Sequence, residues 1–177
     1  ETVNIVSEWT TSDAGVADTD LDIANILAGT GSVYLTGATG VDVAAVTAEL
    51  FDASGLTGDL ELDQVAGATT DFSVVGADGD NGVTFTNTTA GDSVFTSTFA
   101  GDDTIVFTGT GTGGTENSSV AVFSGGTNSV TSAVTTGNLV VEGSTGAEKV
   151  ITTGLTSGTV AAALGAGDNE VTIGGAL

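Results

Sequence analysis

The sequence contains no cysteine, histidine, proline or methionine, and its only cation is Lys149. Each absence closes a class of chemistry. Without cysteine there is no disulfide framework and no thiol nucleophile. Without histidine there is no Ser-His-Asp triad and no conventional zinc site. One cation against 23 Asp and Glu gives a formal charge of −22. That balance leaves no electrostatic footprint for nucleic acid or an anionic membrane, and a phosphate-handling enzyme would lack its Arg and Lys clamps. No apolar run of about 18 residues is present, so no transmembrane helix is expected. No basic-headed signal peptide is seen. The chain starts at Glu1 rather than Met, and a processed product or a fragment of something longer is expected.

High charge raises the question of disorder, which goes with low hydrophobicity. Here 40% of residues are hydrophobic and the mean hydropathy is +0.32. Val, Ile, Leu and Phe are spread along all 177 residues. A folded core is therefore expected, in a single module spanning 1–177 with no composition break.

Thr, Val, Ser, Phe and Gly dominate, which favours strands over helices. Val83-Thr84-Phe85-Thr86, Leu60-Glu61-Leu62, Thr104–Thr108 and Val171-Thr172-Ile173 read as short strands of period two. Glycines punctuate them at intervals of nine or ten: Gly82, Gly91, Gly101; Gly137, Gly146; Gly158, Gly167. Strand and turn at this spacing fit a β-solenoid of stacked coils, or an antiparallel β-sandwich as the alternative. Self-similar turns, very short strands and an aromatic content of only 5% favour the solenoid. The lack of proline does not discriminate, since both folds need ladder N–H groups. Residues 1–50 are less regular. Asp20–Leu27, ending at Gly29, and Val41–Phe51 are the two helix candidates, although Val41-Asp42-Val43 also reads as a strand. Thr108–Thr115 is low in complexity and is the best loop candidate.

The acids cluster in turns beside glycine. Asp78-Gly79-Asp80-Asn81-Gly82 is the densest group, and Gly91-Asp92, Gly101-Asp102-Asp103 and Gly167-Asp168-Asn169 follow the same plan. Asp18, Asp20 and Asp22 alternate on an extended stretch and would share a face. Oxygen-only ligands in glycine turns suit Ca²⁺, which takes 6–8 oxygens. Asp, Asn and Gly also form turns without any metal, because Asx side chains bond their own backbone. The unneutralised charge tips the balance toward at least one Ca²⁺ site, since carboxylate repulsion opposes compaction. Solvation at high salt is the competing account.

Ala100–Ile105 and Gly165–Gly175 resemble degenerate forms of the Ca²⁺-binding nonapeptide of RTX proteins, Gly-Gly-x-Gly-x-Asp-x-apolar-x, although tandem nonapeptides are missing. Phe51–Leu62 is similar to an Asp-Ala-Ser-x-Leu-Thr-Gly-x-Leu element of acidic, cysteine-free bacterial S-layer and RTX-type secreted proteins. The resemblance implies a Ca²⁺-dependent β-solenoid at the cell surface, exported by a type I-like route. It carries turn-ligand roles to Asp102, Asp103, Asp168 and Asn169, and to Asp78, Asp80 and Asp92. The function expected is a self-assembling S-layer, sheath or matrix-fibre subunit; an RTX-type adhesin that does not polymerise is the alternative. The expected partners are further copies of the chain and a cell-surface polysaccharide.

Other readings are weaker. Asp102-Asp103 could act as an acid/base pair, yet no Arg or His supports it, and no enzyme is expected. Lys149 beside Glu148 reads as an exposed ion pair. Threonines at 84, 86 and 88, at 96 and 98, and at 108, 110 and 112 could form an ice- or surface-binding ladder, though Thr is also a good strand residue. Trp9 and Tyr34 are expected to cover an end of the core or an interface.

Overall fold

The computed structural model describes residues 1–7, 20–65, 71–86, 91–97, 99–108 and 118–175. Asp18, Trp9 and the loop candidate beyond Thr108 lie outside them. Among the described residues there is no helix, and every strand pair is parallel. The chain is a β-solenoid, as the short strands and repeated turns led us to expect.

The first coil holds β1 (Thr2–Ser7), β2 (Leu21–Ile23) and β3 (Ile26–Leu27). The second holds β4 (Ser32–Gly37), β5 (Val41–Val43) and β6 (Val46–Thr47). Then come β7 (Leu50–Leu56) with β8 (Leu60–Val65), β9 (Phe72–Val75) with β10 (Asn81–Thr86), and β11 (Ser93–Thr96) with β12 (Thr104–Thr108). The last are β13 (Ser118–Val122) with β14 (Asn128–Ser132), β15 (Asn138–Glu142) with β16 (Glu148–Thr152), and β17 (Val160–Ala163) with β18 (Glu170–Ile173). One strand of each coil joins an 8-stranded sheet in the order β1-β4-β7-β9-β11-β13-β15-β17. The rest build a second, 10-stranded sheet along β2-β5-β8-β10-β12-β14-β16-β18, with β3 and β6 beside it. We call these sheets A and B.

The core lies between them. Alternate residues of each strand face inward, so in-register stacking turns sequence positions into columns. Val33, Phe51, Val74, Phe95, Ala121 and Val141 form one column from sheet A, all essentially inaccessible. Val43, Leu62, Val83, Ile105, Val130 and Val150 oppose it from sheet B. Phe85 stacks on Phe107 with centroids 5.0 Å apart, and Phe72 meets Phe85 edge-on at 6.1 Å.

One expectation is corrected. Neither helix candidate is helical. Asp20–Leu27 becomes β2 and β3, and Val41–Phe51 becomes β5, β6 and the start of β7. These segments stack on each other, Asp22 on Asp42, Ile23 on Val43 and Ile26 on Val46. β-branched Val and Ile find a pleated neighbour there, and tertiary pairing overrides a weak helical spacing. The glycine interval of nine or ten is half a coil, because a turn follows each of the two strands. The full repeat is visible in the column Gly58, Gly79, Gly101, Gly126, Gly146, Gly167, where a β-carbon on each residue from Gly79 onward would collide with backbone of the glycine one coil earlier. That corner permits no side chain.

The Phe51–Leu62 element has a local explanation. The Asp52 carboxylate accepts hydrogen bonds from the Ser54 amide at 3.0 Å and the Ser54 hydroxyl at 2.6 Å. The register of β7 on β4 shifts there, between Tyr34 and Thr36, which marks a bulge. Asp52, Ser54 and Gly55 shape a bulge within β7.

Candidate functional site

Sheet B places two kinds of polar residue side by side at its leading corner, where the chain turns into the strands. Consecutive residues there point outward and inward in alternation.

The outward column contains Asp20, Gly40, Asp59, Asp80, Asp102 and Thr127, one per coil. The Asp59 carboxylate accepts the Asp80 amide at 3.0 Å, Asp80 accepts the Asp102 amide at 2.8 Å, and Asp102 accepts the Thr127 amide at 2.7 Å. Each acid thus engages the next coil with one oxygen. In-register parallel strands are about 4.8 Å apart, so these carboxylates are stacked at close range. On the adjoining outer face, Asp42 stacks on Glu61, and Glu61 lies over Gly82, where a β-carbon would strike its carboxylate. Asp20, Asp42, Asp59, Glu61, Asp80 and Asp102 together line an open groove of about 450 Å³. The Glu61 carboxyl is pushed above its ordinary value, first by desolvation against the sheet, then by the charges of Asp63 and Asp42.

The inward column is Asn81, Asp103, Asn128, Glu148 and Asn169. The first four are almost wholly buried. The Asp103 carboxylate accepts the Asn81 amide at 3.1 Å and the Asn81 side-chain amide at 2.7 Å, both on Oδ1. Asn128 Oδ1 accepts the Asp103 amide at 3.0 Å, and Asn169 Oδ1 accepts the Glu148 amide at 2.9 Å. Asn81 and Asn128 also donate into the turns before them, to Gly79 and Gly125. Burial raises the Asp103 carboxyl; the Asn81 hydrogen bonds and the nearby Ser97 hydroxyl oppose the shift, and the Asp80 charge adds to it. Asp103 Oδ2 and Glu148 Oε2 are buried and have no hydrogen-bond partner among the described residues.

The expected ligands therefore separate by parity. Asp20, Asp80 and Asp102 come together in the groove. Asn81, Asp103 and Asn169 belong to the interior ladder, bonded to backbone. Asp22 is exposed on the outer face of sheet B, stacked on Asp42. Asp92 sits at the corner leading into sheet A, where it accepts the Ser118 amide at 2.7 Å while its own amide bonds Asp71. Asp78 and Asp168 are exposed in separate turns. Asp42, Asp59 and Glu61 were missed by the sequence reading. Their signal was an acid just before or just after the first apolar residue of a strand, repeated at the coil interval of about twenty rather than the glycine interval. Among the described residues no three carboxylates converge on one point at metal-ligand spacing.

The remaining expectations resolve by face. Lys149 pairs with Glu170 of the next coil at 3.4 Å, not with Glu148, because neighbouring residues of a strand point to opposite faces and Glu148 points in. Thr84, Thr86 and Thr108 lie on sheet B and Thr96 on sheet A, so these four do not form one ladder; Thr88, Thr98, Thr110 and Thr112 lie outside the described residues. Tyr34 sits in β4 and is 38% exposed. Comparison with protein-family models, curated proteins and solved structures gives no match.

Proposed function

We propose that this chain is a non-enzymatic structural module of an extracellular, cell-surface protein, and that it self-assembles as an S-layer, sheath or matrix-fibre subunit with Ca²⁺ bound along its acidic corner. The observation that carries the reading is the groove lined by Asp20, Asp42, Asp59, Glu61, Asp80 and Asp102. Six carboxylates from successive coils repel one another, and Lys149, paired with Glu170, is the chain's one basic residue.

The donor set fits a hard cation, being carboxylate oxygen throughout. Asp59, Asp80 and Asp102 already fix one oxygen each on the coil above, so their orientation is set by the fold. With no triple convergence among the described residues, ions held there would take one or two carboxylates each, with water completing the shell. Ca²⁺ would supply charge neutralisation between coils and, at exposed acids such as Asp78 and Asp168, a bridge between subunits.

Thermal melting tests the metal. In millimolar Ca²⁺ the Tm rises by many degrees over the EDTA sample, and Asp80→Asn with Asp102→Asn removes most of that rise. Identical melting with and without Ca²⁺ takes the ion out of the account. Negative-stain microscopy tests assembly: ordered arrays with Ca²⁺ support it, and a monomer under all conditions supports the non-polymerising adhesin instead.

A further inference from the structure

The outer faces of the two sheets differ in chemistry. That of sheet B carries most of the acids and most of the strand threonines, with Val106 and Ile151 among them. That of sheet A, from β7 onward, carries two in-register columns. One runs Leu50, Ser73, Val94, Val120, Val140, Ala161, and the other runs Asp52, Val75, Thr96, Val122, Glu142, Ala163. The valines among them are half-buried by their own neighbours along the column and have no layer of described residues above them. The result is a largely apolar strip on a chain of charge −22, with Ser73 and Thr96 as its neutral polar members and Asp52 and Glu142 as its charged ones.

We infer that this strip, centred on Val94, Val120 and Val140, is the surface on which a second copy of the chain docks, sheet A against sheet A. The inference rests on the assembly reading above and names its contact. Charge sets where two copies can meet. Two such polyanions repel at the groove and along sheet B, and the strip is where they approach with the fewest carboxylates facing. Shape agrees: aligned sheets pack about 10 Å apart with side chains interdigitating, and an isologous pair brings the same columns from both copies together. The area sets the strength. Five strand spacings of about 4.8 Å by a strand length of about 15 Å give roughly 360 Å² per copy. The two copies together bury roughly 700–800 Å², below the ~1,200 Å² of a stable isolated complex. One contact is therefore weak and gains persistence by repetition in an array. Salt strengthens it, because screening shortens the repulsion and leaves apolar burial intact.

The test is sedimentation velocity over a concentration series in low and high NaCl, with and without Ca²⁺. Wild type should shift to larger species with concentration, more so in high salt. The triple variant V94T/V120T/V140T keeps charge, volume and strand propensity, and should remain monomeric under the same conditions with an unchanged circular dichroism spectrum. Thr131→Val, on the opposite face, should associate like wild type. Since the chain has no cysteine, a spin label at Val120→Cys gives a direct reading: strong intermolecular broadening there and none at Thr131→Cys. Wild-type association that the triple variant retains overturns the inference and leaves assembly standing. Wild type monomeric in every condition overturns both.

Discussion

Asp103 is a carboxylate placed where its neighbours in the column are mostly amides. Asn81 donates to it twice, while its Oδ2 is buried without a hydrogen-bond partner among the described residues. A buried charge with one unpartnered oxygen costs more than a buried amide of the same shape. Asp103→Asn is therefore expected to stabilise the fold by about 1–3 kcal/mol at neutral pH. The pH dependence follows from the sign of the shift. The folded-state pKa values of Asp103 and Glu61 lie above their ordinary values. Between those two values the folded state binds more protons than the unfolded one, so stability falls as pH rises through that window. Acidification from neutrality toward about pH 4.5 should raise the Tm, and the Asp103→Asn variant should show a flatter profile. A wild-type Tm that falls over the same range would contradict the assignment. At the glycine corner the expectation reverses. Gly146→Ala sets a β-carbon against the Gly126 carbonyl, with backbone that cannot move aside. Its cost should exceed ~3 kcal/mol, near the top of the range for single substitutions. Gly29→Ala meets nothing within 4 Å and faces only the strain of φ near 60°, roughly 1–2 kcal/mol, so denaturant melts of the two variants separate close approach from backbone conformation.

At the level of strands, the core depends on columns whose members lie one coil apart in sequence. Phe107→Ala removes the ring stacked on Phe85 and should cost about 3–5 kcal/mol, measurable by urea denaturation. The strand itself was legible: Ile105 and Phe107 alternate with polar neighbours, and the same holds for Val83 and Phe85. The inner ladder was legible too, by a count the sequence reading did not make. Stepping back in twos from Phe107 and Ile105 reaches Asp103, from Phe85 and Val83 it reaches Asn81, and from Val150 it reaches Glu148. Parity alone separates Asp103, inside, from Asp102, outside. Which coil stacks on which was not legible, because the coil length varies. Asp59 to Asp80 spans 21 residues, Asp80 to Asp102 spans 22, and Asp102 to Thr127 spans 25. A changing interval hides a repeat from any fixed period. For the same reason residues 20–50 looked irregular, although β2 and β5 repeat the pattern apolar-Asp-apolar 20 residues apart.

At the scale of the whole molecule, the two sheets share one geometry, each strand bonded, among the described residues, only to strands of the coil before and the coil after. Stability in such a stack is close to a sum of neighbour terms, and it can be lost one coil at a time. The ladder hydrogen bonds of both sheets point along the stacking axis, and the chain enters the stack at one end and leaves it at the other. Tension applied between residues 1 and 175 would therefore load these bonds in line, and they would fail in succession rather than together in shear. Each coil of roughly 20 residues would release about 70 Å of chain on peeling away. Single-molecule stretching should show a train of small steps, each set by the length of one coil, in place of one large rupture. Pulling instead across the sheets, between residues of one coil, should meet much higher resistance. A module built this way yields along its axis in small increments while staying stiff across it.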